Sequence, residues 1–321
     1  MINKKDPDPY RGCLVGGAIG YALGSAVEFL QYSAILNRFG EAGIKDLVTG
    51  ESGLAEITDD TQMALFTAEG MLRAVARGKA KGIWHPPSVV YYAYQRWLLT
   101  QGYEEYDEYK ELYDGWLLAI KELHARRAPG NTCLSALASR KMGTIEEPIN
   151  NSKGCGGVMR VAPVPLVLAG INPDKIFIFK IGAETAAITH GHPSGYLASG
   201  ALAYIIAAII EGSSIYNALD GALIELETYD GHQECSAILQ QAIELSGKEQ
   251  PDHEAIKELG EGWVGEEALA IAVYCALKYG DNYRDAVVAA VNHSGDSDST
   301  GAITGNIVGA YLGLSNIPEA W

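Results

Sequence analysis

The chain has 321 residues, with 24 lysines plus arginines against 40 aspartates plus glutamates and a formal net charge of −16. That length suits one large domain or two ordinary ones with a substantial core, and the acidic balance disfavours nucleic acid or an anionic membrane as the main partner. Five cysteines, Cys13, Cys133, Cys155, Cys235 and Cys275, form no C-x-x-C pair, so neither a disulfide framework nor a thiolate zinc site is indicated and a reducing cytoplasm is expected.

The N-terminal stretch MINKKDPDPYRG is polar and lacks the apolar core of a signal peptide. In RGCLVGGAIGYALGSAVEF the glycines Gly12, Gly16, Gly20 and Gly24 recur every fourth residue, on one face if the segment is helical. Glu28 is next in the series. ITDDTQMAL then places Asp59 beside Asp60 at the head of a helix-like run in which Leu65, Ala68, Leu72 and Val75 keep three-to-four spacing up to a stop at Gly78. Adjacent aspartates suit helix capping, or a site where something positive lies between them. PPSVVYYAYQRWLL is β-branched and aromatic, but its length after two prolines favours a helix.

NNSKGCGGVMR, residues 150–160, is glycine-rich and by itself only a turn of the chain. NPDKIFIFKIGAETAAITH opens with Asn172 as N-cap and Pro173 at the first helical position. His190 and His192, two apart, would point in different directions on a helix and could not easily share a metal. YLASGALAYIIAAII, residues 196–210, is shorter than the roughly 20 residues of a membrane span and reads as a buried helix. EEALAIAVYCALKYG is a further helix, with Leu269, Val273, Ala276 and Leu277 inward and a stop at Gly280. No stretch alternates as a sheet protein or a doubly wound fold would. An all-α fold in one domain, residues 1–321, is expected.

The last feature is GDSDST followed by a second stripe, Gly301, Gly305, Gly309 and Gly313. Eight helical glycines would forfeit roughly 6–8 kcal/mol relative to alanine, and close helix packing is the obvious compensation. If the two striped helices pack antiparallel, Glu28 meets Asp296 and Asp298. A calcium loop of the EF-hand type requires glutamate where this chain has Ile307. A D-x-D-x-T phosphatase fits the letters of Asp296, Asp298 and Thr300, but that motif ends a buried strand and here follows a helix and loop. The third reading joins the two acidic clusters into one site for hard divalent cations.

Four segments together, the glycine-rich opening through Glu28, TDDTQMAL, NNSKGCGGVMRVAP with THGHP, and GDSDSTGAITGNIVGAYLG with IPEAW, resemble the ADP-ribosylglycohydrolase family in the expected order over nearly the whole chain. The resemblance implies an all-α multi-helix orthogonal bundle with a binuclear magnesium centre, sometimes manganese, held by Thr58, Asp59, Asp60, Asp296, Asp298 and Ser299. It implies Glu28 as the active-site glutamate, working with the catalytic carboxylates Asp60 and Asp298. It implies that Ser152, Lys153, Gly154, Cys155 and Gly156 wrap the diphosphate of ADP-ribose, with Lys153 adding positive charge, and that His190 contacts ligand. Gly130 and Asn131 of RRAPGNT give a further substrate loop, while Met159 and Arg160 are expected to support the site without touching ligand. Tyr21 departs from the family's G-D-A-L-G, replacing the acid and putting an outer contact in doubt. The implied reaction is removal of mono-ADP-ribose from a modified protein, foremost from arginine. Serine- or other O-linked ADP-ribose, or a non-catalytic ADP-ribose-binding or crystallin-like relative, are the alternatives.

Overall fold

The computed structural model describes residues 6–50 and 53–321. Among these are fourteen α-helices, short 3-10 turns and no strand; one isolated antiparallel bridge joins Gly154 to Val264. The all-α expectation holds, and the D-x-D-x-T phosphatase reading loses the strand it needs. The first five residues of the polar N-terminal stretch lie outside the described residues.

Helix α1 (Asp8–Gly24) carries Pro9 in its first turn, where a missing N–H costs nothing. Helix α2 (Tyr32–Phe39) stops at Gly40. Helix α3 (Asp59–Lys81) runs past Gly78 and ends on Gly82 in the left-handed conformation, with Lys79 and Lys81 favourably placed at the negative end of its dipole. Helix α4 (Pro86–Thr100) settles the helix-or-strand question for its segment, and the His85 ring accepts the Ser88 N–H as its cap. Next come α5 (Asn131–Ala138), α6 (Pro163–Leu168) and α7 (Lys175–Ala187). The last opens later than expected, because Asp174 and not Asn172 accepts a first-turn N–H, that of Ile176.

Helix α8 (Pro193–Ile210) is the hub: of its residues only Pro193 and Tyr204 are not buried. It packs on α7, on α9 (Ile215–Leu226) and on α12 (Gly265–Tyr279), and α10 (Gln233–Ser246) and α11 (Asp252–Leu259) also pack on α12. Helix α13 (Tyr283–Val291) and helix α14 (Ser297–Leu312) complete the chain.

The periodicity of α3 is right but its inward face is not the expected one. Leu65 and Leu72 are exposed, while Met63, Phe66, Met71 and Ala74 are buried. Buried polar residues disguise the true face. Gln62 donates to the carbonyls of Leu123 and Ala125, Thr67 bonds the Tyr94 hydroxyl, and Glu69 pairs with the buried Arg96 at 2.8 Å. Each polar group has a built partner, which is what allows it inside.

The glycine stripes pack α1 antiparallel on α14. A Cβ on Gly12, Gly16, Gly20 or Gly24 would fall on the carbonyl oxygen of Gly309, Gly305, Gly301 or Ser297 respectively. Seven of the eight glycines are helical, and the eighth, Gly313, ends α14 at φ +82. Asn306 donates across the seam to the Cys13 carbonyl at 2.7 Å. The seam brings the C-terminal end of α1 to the N-terminal end of α14, and there the acidic residues collect.

Candidate active site

Glu28 reaches the cluster by a turn, not by continuing the helix. The amides of Val27 and Glu28 both donate to the Gly24 carbonyl at 2.9 Å, and the turn closes on Phe29 at φ +66, a left-handed backbone that a bulky residue rarely adopts. Oxygens of Glu28, Asp296 and Asp298 lie within 4.8 Å of one another. The 293–296 loop is pinned from behind, Asp296 N–H donating to the Glu261 carbonyl at 2.8 Å and the His293 ring bonding Thr300 Oγ1 at 2.9 Å. Asp296 caps α14 by accepting the Ser299 N–H.

The other acidic pair arrives on the first turn of α3. Ser299 Oγ donates to Asp60 Oδ2 at 3.0 Å and joins the two halves. The Asp59 N–H donates to the Arg127 carbonyl at 3.3 Å, which ties the RRAPGNT loop to the acidic wall. Neither aspartate caps α3 through its side chain; Thr58 occupies that position, also without a side-chain cap bond.

Together these residues line a cleft of about 370 Å³. Burial, reinforced by the Asp298 and Asp59 charges, raises the Glu28 carboxyl to about 8. Burial raises Asp59 to about 7, against the opposing pull of backbone N–H groups. Burial raises Asp296 to about 6. Burial and then the Asp298 charge push Asp60 well up, and burial and then Asp296 push Asp298 well up. Five carboxylates therefore converge on a wall where no lysine or arginine is among the lining residues. Arg160 is buried just behind, donating to Thr189 Oγ1 at 2.7 Å and stacked over the Tyr94 ring. His190 bonds Thr189 through Nδ1, and burial followed by the Arg160 charge lowers it to about 3, so its ring is neutral.

This donor set fits hard divalent cations. They take carboxylate and hydroxyl oxygen, and a positive ion is what the raised carboxyls lack. The Thr58 Oγ1 is buried beside them with no hydrogen-bond partner. Cys155 is the one softer group, its thiol donating to Asp296 Oδ2 at 2.8 Å.

Of the residues singled out in the sequence, Glu28, Asp59, Asp60, Gly130, Asn131, Gly154, Cys155, Gly156, His190, Asp296, Asp298 and Ser299 line the cleft. Thr58, Lys153 and Ser152 are not among the lining residues. The Lys153 ammonium faces the other way, ion-paired at 2.9 Å with Glu234 and also with Glu266, so it lends the cleft no direct contact. Ser152 Oγ sits against Thr132 Oγ1 at 3.2 Å and accepts the Gly154 N–H. The amides of Ser152, Gly154 and Cys155 are already bonded, to Asn150 Oδ1, Ser152 Oγ and the Trp263 carbonyl. The loop thus offers fewer donors to an anion than its glycine content suggests. Met159, expected as support, lines the cleft, as do Phe29, Thr132, Cys133 and Trp263. Tyr21 is buried in α1 with its hydroxyl unpartnered, and it shares a small cavity with Asp60 and Thr61.

The family model for ADP-ribosylglycohydrolase matches residues 3–321. The chain belongs to the ADP-ribosylglycohydrolase family. As a member it is a hydrolase acting on ADP-ribosylated substrates, and the non-catalytic alternative is set aside. This ADP-ribosylglycohydrolase is similar to the ADP-ribosyl-[dinitrogen reductase] glycohydrolase of Rhodospirillum rubrum, 25% identical over 97% of this chain and 87% of that protein. It is 28% identical to the ADP-ribosylarginine hydrolase Tri1 of Serratia proteamaculans over 98% of this chain and 74% of that one. Human ADP-ribosylhydrolase ARH3 is 25% identical over 97% of this chain and 87% of its own. A solved structure titled ADP-ribosylglycohydrolase-related protein complex superposes with a TM-score of 0.61 at 25% identity, covering 98% of this chain and 90% of that one. Metal dependence is a property of the family, in keeping with the acidic cluster.

Proposed function

We propose that this hydrolase removes mono-ADP-ribose from arginine side chains of a modified protein, with two magnesium ions held by Thr58, Asp59, Asp60, Asp296, Asp298 and Ser299. The observation that carries the metal reading is the convergence of five carboxylates, four of them buried and Glu28 half-buried, with no cation among the lining residues. The arginine reading is supported by the relative named for ADP-ribosylarginine. The magnesium ions, when bound, supply charge that holds the ribose hydroxyls and favours deprotonation of water. The net reaction consumes one water, breaks the bond between the anomeric carbon and the guanidine nitrogen, and yields ADP-ribose and arginine. Glu28 stands at the edge of the acidic wall, where it can accept the proton of the attacking water and return it to the leaving nitrogen.

The diphosphate lies, in this reading, against Gly156 and the first turn of α5, whose leading amides have no side-chain cap. A Cβ on Gly156 would stand 2.9 Å from Cys133 Sγ and 3.0 Å from the His190 ring. Gly156→Val should therefore narrow the cleft while leaving the acidic wall intact. ADP-ribose affinity should fall by at least about tenfold, a loss of roughly 1.4 kcal/mol, with magnesium affinity unchanged. Wild-type affinity by calorimetry in the folded variant would remove Gly156 from the ligand site.

The deciding assay follows release of ADP-ribose from arginine-linked and serine-linked peptides of the same sequence, with magnesium, manganese or chelator. Turnover of the arginine-linked peptide only, abolished by chelator, is expected; preference for the serine-linked peptide would select the O-linked alternative. Glu28→Gln keeps the size of the side chain but cannot carry a proton. It should slow hydrolysis by about two orders of magnitude while ADP-ribose still binds, and a variant as fast as wild type would take the proton-handling role from Glu28. We also place the protein in the cytoplasm, as one domain spanning residues 1–321; fractionation and limited proteolysis test these two points.

A further inference from the structure

The mouth of the cleft holds an aromatic pair for which the reaction described above has no use. Phe29 is 67% exposed and Trp263 37% exposed, yet their rings stack on each other, centroids 5.4 Å apart and 19° from parallel. Exposed stacked aromatics beside a binding cleft are where a ligand face is expected. Phe29 is held there at φ +66 by a turn that glycine would enter more easily. Trp263 is fixed by its backbone, its carbonyl accepting the Cys155 N–H at 3.1 Å next to the Gly154–Val264 bridge. The indole Nε1 donates to Glu261 Oε2 at 3.2 Å, which places an exposed carboxylate against the edge of the pair.

The pair belongs to one end of the cleft. Phe29 follows Glu28 directly, and Trp263 follows Gly262, which packs on Asp296 and Thr300. Both therefore lie beside the acidic wall, where the scissile bond is cut, with Trp263 also bordering the Cys155 loop. What projects past the scissile bond is the leaving group. Two aromatic faces with an adjacent carboxylate form a seat for a planar cation: guanidinium stacks on aromatic rings and pairs with carboxylates, whereas a serine hydroxyl does neither.

We propose that Phe29, stacked on Trp263 and flanked by Glu261, receives the guanidinium of the arginine leaving group and so sets the linkage preference of the enzyme. This rests on the arginine reading above. The rings are already in contact with each other, so the cation lies on the outer face of Phe29, within the field of the Glu261 carboxylate held at the indole edge.

The test compares Phe29→Leu, Phe29→Tyr and Glu261→Gln with wild type on the arginine-linked peptide, and measures ADP-ribose binding by calorimetry. Phe29→Leu keeps apolar bulk and removes the ring face. It should raise KM by roughly three- to thirty-fold, the range of a cation–π contact, with kcat and ADP-ribose affinity within about twofold; Phe29→Tyr should restore KM, and Glu261→Gln should raise it to a lesser degree. An unchanged KM in Phe29→Leu would overturn the proposal. So would a fall in kcat at constant KM, which would mean only that Glu28 had been displaced, or an equal loss of ADP-ribose affinity, which would make the pair a support for the nucleotide. Wild-type enzyme that fails on the arginine-linked peptide but turns over the serine-linked one would defeat the linkage reading first and this inference with it.

Discussion

Asp298→Asn should abolish hydrolysis, weaken magnesium binding and at the same time stabilise the metal-free protein at neutral pH. The three effects have one cause. Asp298 is buried, is raised by burial and then by Asp296, and borders Glu28, Asp59 and Asp60 as well. Removing its charge takes a ligand from the cations and relieves repulsion in their absence. The expected drop in turnover is at least about a thousandfold, the several kcal/mol that a bound metal supplies to a transition state. The stability effect has a definite pH window. Asp59 and Asp296 move from 3.8 to about 7 and about 6, and Glu28 moves from 4.5 to about 8. Groups raised on folding hold their protons more tightly in the native state, so their stabilising contribution is complete below about pH 4 and is lost as the pH climbs through about 6 to 8. Chelated wild-type protein should therefore melt at a lower temperature at pH 8 than at pH 5, and added magnesium should raise Tm more at pH 8. In Asp298→Asn both the pH slope and the gain from magnesium should shrink. A variant whose chelated Tm at pH 8 falls below that of wild type, or whose metal stoichiometry is unchanged, would overturn the assignment of Asp298 to the ion site.

What could be read in the sequence was what depends on residue type at fixed spacing. Glycines four apart have one economical use in an apolar helix, and the seam of Gly12, Gly16, Gly20 and Gly24 on α14 is that use. The approach of Glu28 to Asp296 and Asp298 was expected from the antiparallel seam, although the chain delivers Glu28 by a turn beyond the end of α1. What could not be read depended on partners remote in sequence. The α3 face was hidden because Gln62, Thr67 and Glu69 find their partners on other elements, and a polar residue with a built partner looks solvent-facing until that partner is known. Lys153 seemed the charge the loop needed, but Glu234 and Glu266 on α10 and α12 reach it first. Phe29 and Trp263 are 234 positions apart and carry no spacing signal; only the left-handed turn at Phe29 and the bridge at Val264 bring them together. In this fold the paired aspartates lie at helix starts, which sequence marks well. The aromatic pair at the cleft mouth lies on loops, which it marks poorly.

The same seam makes Gly20→Ala a severe substitution although alanine is the better helix former. In an unconstrained helix interior the exchange would stabilise by roughly 0.8–1 kcal/mol. At Gly20 the new Cβ would fall on the Gly301 carbonyl oxygen, and Gly301 meets the Gly20 carbonyl in return. The obstacle is backbone on both sides, so no side chain can turn away, and α1 and α14 must separate. Overpacking of this kind costs roughly 1–3 kcal/mol, enough to reverse the sign set by propensity. The separation also reaches the site, because Glu28 follows α1 and Asp296, Asp298 and Ser299 open α14. Gly20→Ala should therefore lower Tm and reduce magnesium affinity together, though it touches no ligand. Gly78→Ala in α3 is the control, since there the Cβ meets only the edge of the part-exposed Trp84 ring, 2.9 Å away, which can swing aside. That variant should keep or raise Tm with unchanged metal binding. If Gly20→Ala also raised Tm, the stripe would be a neutral feature of two glycine-rich helices, and the close approach that aligns Glu28 with Asp298 would need another cause.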